Sequence, residues 1–384
     1  MTERAVSDQA GEQAEIRAEL RAVARDLLGG SGAGVDWQQL AGADWLGLEV
    51  AADLGGAGAT FAEVAVIAEE FGRAAARGPY LSAVVLSVGV LNALEPNEHR
   101  DRLLGEIAAG TCVPAAVLGS GDCPGTVCTG TGHMGTGRIG KGQAPPFRLE
   151  QAADGPLLHG AASFLPGVVE ASPLLLIATG PDGRPVVVSA DPGTRGLGRA
   201  GQPVLDATRS LGVVRAAGVL VRPDCIWPFA GDGQASLQRL ADRAAVAVAC
   251  DSLGLSEAML AATVGYARVR EQFGRPIGSF QAVKHACADM LVQIRIAREL
   301  VTEAVARVAD PGCPGDEVSV AASMAKSFAG EAAVGIAGKA MQLHGGIGYT
   351  WESGIHVYLK RAMLDRELFG SPAAHRRRLA ARYA

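Results

Sequence analysis

The sequence predicts an α+β fold in which helices and strands are segregated, and three observations predict it. Residues 8 to 108 carry apolar positions at three- and four-residue spacing, the sign of amphipathic helices. Near residue 110 the texture changes to short apolar or alternating runs separated by Gly, Pro and Asp turns, which read as antiparallel strands. From about residue 232 long helical periodicity returns. An order of α, then β, then α favours separate helical and sheet units over an alternating parallel sheet. With 384 residues the chain exceeds what one core organises, about 250–300 residues, so several packed units are expected. The expected boundaries are 1–108 for an N-terminal helical domain, 109–228 for a central β domain and 229–384 for a C-terminal helical bundle.

Each unit has its own signals. In the first, AEVAVIAEEFGRAA (62–75) is a helical stripe, and Leu54-Gly-Gly-Ala-Gly58 breaks the helices with a turn. In the second, VPAAVLG, PLLHGAASF, LLLIATG, PVVVSA and VRAAGVLV are strand-length runs. In the third, breaks fall at Gly274-Arg-Pro276 and at Asp310-Pro-Gly-Cys-Pro314. No internal repeat at a fixed period is visible.

Composition narrows the function classes. Hydrophobic residues make up 48% and charged residues 20%, a globular balance, while 5% aromatics and 51 glycines leave the interior to Ala, Val and Leu. A net charge of −5 without a basic stripe argues against nucleic acid as a partner. Arg376-Arg377-Arg378 is read as a solvated helix terminus. No apolar run is seen that approaches the roughly 20 residues of a membrane helix, and the first 25 residues do not form a signal peptide, so the expected location is cytoplasmic. Seven scattered cysteines (Cys112, Cys123, Cys128, Cys225, Cys250, Cys287, Cys313) without Cys-x-x-Cys spacing are expected to be reduced thiols, and no metal site is expected. Gly130-Thr-Gly132-His-Met-Gly135 satisfies G-x-G-x-x-G, but the Gly and Pro residues after it leave no room for a helix, so a loop is expected.

Two C-terminal stretches carry the chemistry: YARVREQFGRPIGSFQ (266–281) and QLHGGIGYTWE (342–352). In type, order and separation they resemble the flavin-binding segments of the acyl-CoA dehydrogenase family. There an Arg-x-x-Phe-Gly segment from one subunit and a Gln-x-x-Gly-Gly-x-Gly segment from its neighbour meet the same FAD. ADWLGLEVAADLGGAGATFAEVAVIAEEFGRA (43–74) resembles the family's N-terminal helical domain. The family's Thr-Glu-Pro-x-x-Gly-Ser-Asp stretch has no good counterpart near AVLGSGDCPGT (116–126).

The resemblance implies the acyl-CoA dehydrogenase fold: an all-α N-terminal domain, a central antiparallel β-barrel or sandwich, and a C-terminal four-helix bundle assembled into a homo- or hetero-tetramer. It implies FAD bound by Arg270, Gln272, Phe273, Ile277 and Gln281 on one side, and by Gln342, Leu343, Gly345 and Gly346 on the other. The residue types suit that task. Arg270 offers a permanently charged planar fork to phosphate oxygens, and glycines let backbone N–H groups approach an anion. Ser371 stands where the family's Thr offers a hydroxyl to the cofactor, and His344 beside the glycines is a further candidate contact.

The family reaction removes the α proton of an acyl-CoA thioester with a carboxylate while the β hydrogen leaves as hydride, giving a 2-enoyl-CoA. Both positions that usually supply the carboxylate are empty: the C-terminal one is Phe369 and the other falls on Ala244. Asp251, seven residues on and on the same face of an otherwise apolar run, is the candidate base. A structural Asp bonded to backbone or to an Arg is the competing reading. Glu257, rotated by about 120° from Asp251, is a weaker candidate. Glu352, Glu367 and His356 are further polar residues of this region.

The leading expectation is therefore an FAD-dependent acyl-CoA dehydrogenase subunit acting on a steroid side-chain or other bulky acyl-CoA, with an electron-transfer flavoprotein as acceptor. Two alternatives stand beside it: a non-catalytic structural subunit that completes a related partner's FAD site, and a flavin-dependent oxidase or monooxygenase.

Overall fold

A computed structural model of the chain describes residues 3–29, 34–118, 145–350 and 352–382. The G-x-G-x-x-G segment, Cys123, Cys128 and residues 119–126 lie outside them. The N-terminal part comprises α1 (Glu3–Gly29), α2 (Trp37–Gly42), α3 (Phe61–Arg73), a π-helical stretch Tyr80–Val88 running into α4 (Gly89–Asn92), and α5 (Glu98–Ala108). Local chemistry sets the starts. Thr60 accepts from the Ala62 N–H at 3.2 Å while Glu63 accepts from the Thr60 N–H at 2.9 Å, a reciprocal cap that satisfies two donors at the start of α3. Arg17 and Arg25 of α1 reach Glu63 and Glu70 of α3, holding the first helix on the third.

The π-helical stretch leaves a carbonyl with another partner. Val85 O accepts from Arg243 Nε at 2.7 Å, and Arg243 is held in turn by Glu49 and lies 4.6 Å over the Phe61 ring.

The central unit contains β1 (Ala115–Val117), β2 (Phe147–Ala152), β3 (Gly155–Pro166), β4 (Leu174–Thr179), β5 (Pro185–Ala190), β6 (Leu197–Gly201), β7 (Leu211–Leu220) and β8 (Ile226–Pro228). Their order is β6-β7-β3-β2-β4-β5-β8, with β1 also on β4. Both β1 and β2 run parallel to β4, whereas the other pairs are antiparallel. The antiparallel barrel or sandwich expected from the sequence is therefore corrected to a mixed sandwich that does not close into a barrel. Alternating runs identify strands but not which distant strand each will pair with.

Strand β4 shows how this unit docks. Leu174, Leu176 and Ala178 belong to the β core, while Leu175 and Ile177 on the opposite face join the large helical core.

The C-terminal unit is built from α6 (Gly233–Val269), a small hairpin of β9 (Glu271–Gln272) and β10 (Arg275–Pro276), then α7 (Gln281–Ala309), α8 (Gly315–His344), α9 (Ile355–Glu367) and α10 (Pro372–Arg382). Helix α8 is central: α6, α7 and α9 complete the bundle and α10 lies along it. Helix α6 crosses α3 at unusually close range. A Cβ on Gly254 would lie 1.8 Å from Glu69 O, and one on Gly72 would lie 1.9 Å from Asp251 O.

Contrary to the expectation from the sequence, α6 is long and apolar enough to cross a membrane by length and composition. Its apolar stretch is 78% buried inside the fold, which marks it as a core helix. Its apolarity serves the contact with α3 and α8.

Candidate cofactor and substrate site

The Arg270 segment is an exposed hairpin. Helix α6 ends when Arg270 turns extended at ψ 121°, and the Ile277 N–H closes the loop on Arg270 O at 2.7 Å. Phe273 takes a left-handed φ of 54° and is 91% exposed, with an edge contact to Phe280 at 6.1 Å. A large ring held this way in water is unusual for a monomer surface. Arg275 stacks over Phe280 at 4.2 Å. Gln272 and Gln281 are exposed and Ile277 is half-buried. The structure thus brings Arg270, Gln272, Phe273 and Ile277 into one loop, with Gln281 opening the next helix.

The glycine segment terminates α8. Gly345 has φ 62° and ψ −141°, and neither Gly345 nor Gly346 has a heavy atom within 4 Å of where a Cβ would stand. Both are exposed, so their backbone is accessible to a ligand, whereas a Cβ at Gly348 would sit 2.8 Å from Met341 O. Gln342 is exposed and Leu343 packs partly into the helical core.

His344 is buried. Its Nδ1 donates to Ala340 O at 2.7 Å and its ring stacks on Tyr266 at 4.5 Å. That stack binds the ends of α6 and α8, so both segments lie at one end of the bundle in a single chain.

Ser371 lies elsewhere. Its Oγ accepts from the Ala374 N–H at 3.3 Å to start α10, and the preceding Gly370 O is bonded to Lys326. Lys326 precedes Gly345 by 19 residues on α8, an axial separation of about 28 Å.

The carboxylate question is answered by packing. Phe369, at the position where the resemblance puts a Glu, joins a small apolar cluster with Phe164, Val204, Leu211, Leu364 and Leu368. Ala244 is fully buried. Asp251 is 4% exposed and held by two arginines. Arg361 donates through Nε to Oδ1 at 2.8 Å and through Nη2 to Oδ2 at 2.5 Å, and Arg209 approaches Oδ2 at 3.0 Å.

Arg361 also donates to Ala76 O at 2.9 Å and to Thr208 Oγ1 at 2.8 Å, while Arg209 reaches Asp365 at 2.8 Å. Burial pushes the Asp251 carboxyl up, but the Arg361 and Arg209 charges overcome it and hold the group well below the usual carboxylate range. Asp365, buried beside it, is raised, mainly by burial. A carboxylate in this state accepts protons poorly at neutral pH. Arg361, Arg209 and Asp365 carry no local sequence signal of this role, because they lie far along the chain from Asp251.

Glu257 is part of a different ion cluster, joined to Arg298 and Arg73 across α3, α6 and α7. Glu352 is exposed, Glu367 meets Arg366 at 3.2 Å, and His356 is half-buried on α9. Among the described residues no group of three or more His, Cys, Asp or Glu is placed to hold a metal ion.

Two cavities adjoin the Asp251 cluster. One of about 20 Å³, lined by Tyr80, Leu81, Ala247, Asp251 and Arg361, has room for roughly one water. The other, about 420 Å³, lies between Arg77–Ser82 and the β-domain turns at Pro166–Glu170 and Ala207–Ser210. Arg209 and Thr208 line both.

Comparison with known proteins agrees with this anatomy. Residues 231–384 match the acyl-CoA dehydrogenase C-terminal domain, and residues 2–111 match the acyl-CoA dehydrogenase N-terminal domain. Acyl-CoA dehydrogenase IpdE2 of Mycobacterium tuberculosis is 32% identical over 336 residues, covering 86% of this chain and 81% of that protein. The protein of the same name from Mycolicibacterium smegmatis is 42% identical over 144 residues, 38% of this chain and 43% of that one. A solved steroid ACAD, a variant of Tcur3481-Tcur3483, superimposes with a TM-score of 0.80 at 28% identity, covering 96% of this chain and 97% of that one. With its own helical, sheet and bundle units in the family's order, the chain belongs to the acyl-CoA dehydrogenase family.

Proposed function

We propose that this chain is a subunit of a heteromeric FAD-dependent acyl-CoA dehydrogenase, supporting a related partner's flavin site while abstracting no proton itself. The observation that carries the reading is Asp251, pinned between Arg361 and Arg209. With Phe369 and Ala244 at the two usual base positions, none of the three candidate positions offers a free carboxylate to take an α proton. The name of the solved relative Tcur3481-Tcur3483 pairs two components, which supports a two-component assembly.

The residues present fit FAD. Arg270 makes no ion pair among the described residues, and the open backbone at Gly345 and Gly346 can receive an anion. Arg270, Gln272, Phe273, Ile277 and Gln281 would hold one cofactor, and Gln342, Leu343, Gly345 and Gly346 would contact the cofactor centred on the partner. FAD, when bound, supplies the hydride acceptor. The substrate class is a bulky acyl-CoA thioester such as that of a steroid side chain, in keeping with the relatives, with an electron-transfer flavoprotein as acceptor and a cytoplasmic setting.

The 420 Å³ cavity favours a second reading, in which the chain holds an acyl group of its own. Purifying the chain alone and with a related subunit, counting flavins and titrating anaerobically with acyl-CoA separates the two. Full flavin loading only with the partner, and bleaching unaffected by Asp251→Asn in the complex, support the proposal. A chain that is yellow alone, bleached by acyl-CoA and silenced by Asp251→Asn overturns it. Anaerobic bleaching by acyl-CoA that oxygen rapidly reverses, with release of peroxide, would instead mark an oxidase.

A further inference from the structure

On α8 and α10 even polar side chains are turned into the fold: Lys326 is fully buried and His375 is 2% exposed. Helix α7 does the opposite. One of its faces supplies Met290, Ile294, Ala297, Val301 and Ala304 to the core. The other leaves Val292 58% exposed, with Leu291 and Ile296 each 44% exposed. A helix that is apolar on two faces has a second surface to cover.

The polar residues of that second face say what covers it. His285, Ala288, Asp289, Arg295, Ile296 and Glu299 are all exposed. At 3.6 residues per turn they lie within about 60° of Val292, in a stripe about 21 Å long. Arg298 and Glu303 beside the stripe are paired within the chain, whereas His285, Asp289, Arg295 and Glu299 make no ion pair and no side-chain hydrogen bond among the described residues. Their order is complementary to itself when reversed about Val292. A copy of α7 laid antiparallel across that point sets Asp289 level with Arg295, His285 level with Glu299, and the small Ala288 level with Ile296. Two-fold symmetry repeats each pair on the other side of the centre, where Val292 meets its own counterpart. A parallel copy would set each charge beside its like.

We infer that the outer face of α7 is an interface between two copies of this chain, paired antiparallel about Val292. The inference goes beyond the proposed function and does not depend on it, since no flavin and no related subunit enters the pairing. The stripe runs along the side of the bundle, whereas the Arg270 and Gly345 segments sit at its end. One chain can therefore meet its own copy through α7 and a related subunit at the bundle end, joining two unlike pairs into one assembly.

The test weighs the chain in its complex with the related subunit by light scattering, for the wild type, Asp289→Arg, Arg295→Asp and the double variant carrying both. Each single reversal sets like charges level with each other on both sides of the centre, so the mass should fall by half, to one copy of each chain. The double variant restores opposite charges only where the facing surface is this same helix, and should return the wild-type mass. Single variants that keep the full mass, or a double variant as dissociated as the singles, overturn the inference. Position 292 gives a second measurement that does not rely on the reversed charges. With helix axes about 8–10 Å apart, the two Val292 Cα atoms come within disulfide range. Val292→Cys under mild oxidation should therefore link two copies of this chain at that position, located by mass spectrometry. A link to the related subunit, or none at all, overturns the inference. If no complex with a related subunit forms, the heteromeric reading falls, and cross-linking of the chain alone decides the α7 pair.

Discussion

Replacing Arg361 by Met should be among the most damaging single changes outside the helix crossings. The guanidinium makes two bonds to Asp251, one to Ala76 O and one to Thr208 Oγ1, so it ties α9 to α6, to the N-terminal helices and to the β domain. Removing one partner of a buried pair leaves an uncompensated charge, typically at a cost of about 3–5 kcal/mol. Arg209, still 3.0 Å from Asp251, offsets part of that, which puts the expectation near the lower figure, about 3 kcal/mol.

The assay is urea unfolding at fixed protein concentration, with Arg361→Met compared with Asp251→Leu and with the double variant. In the double variant no carboxylate is left stranded at this position, so at least about half of the loss should return. A single-variant loss under about 1 kcal/mol, or a double variant as unstable as the single, would refute the charge-lock account. The pH dependence follows the same logic. Asp251 is lowered in the fold, so its contribution is complete above the unfolded carboxylate value of about 3.9 and drains away as the pH falls toward the folded value. Acid below about pH 4 should loosen this junction first.

Other outcomes follow from the same packing. Gly254→Ala places a methyl group against Glu69 O and should cost about 3 kcal/mol or more, read in the same urea series, while Gly265→Ala on the same helix, with open space around it, should be neutral or better. Phe273→Ala should leave the stability of the isolated chain within about 0.5 kcal/mol yet weaken assembly or flavin retention, measured by size-exclusion chromatography and absorbance. Lys326 is pushed down by burial to about 8, so its neutral form is favoured in the fold. Relative to Lys326→Met, wild-type stability should rise between about pH 8 and the unfolded value of about 10.4, by up to about 3 kcal/mol, and a flat difference would contradict this.

How much of this is legible in the sequence depends on the range of the interaction. Helical stripes such as residues 62–75 and strand runs such as LLLIATG report their own periodicity, so the helical, sheet and helical order can be read directly. The parallel pairing of β1 and β2 with β4 cannot, because strand partners are chosen by tertiary packing and not by local pattern. The hairpin at Arg270 and the turn at Gly345 are visible because Gly, Pro and Arg at short spacing carry local geometry. Asp251 is visible as a carboxylate in an apolar helix, but its meaning lies in Arg361, 110 positions away, and in Arg209 on another domain. Lys326 and His375 are silent for a related reason. Inside helices they look like ordinary surface residues, and only the fold turns them inward.

The nine-residue π-helical coil at Tyr80–Val88 has an evolutionary corollary. Excising one residue there would tighten the coil into ordinary α geometry, closing the wide turn and shifting the side chains along it. The oxygen of Val85 would then slide off the Arg243 headgroup, and the wall of the cleft carrying Leu81 and Ser82 would present different side chains. Descendants of this lineage should therefore tolerate substitutions in that coil far more readily than any change in its length.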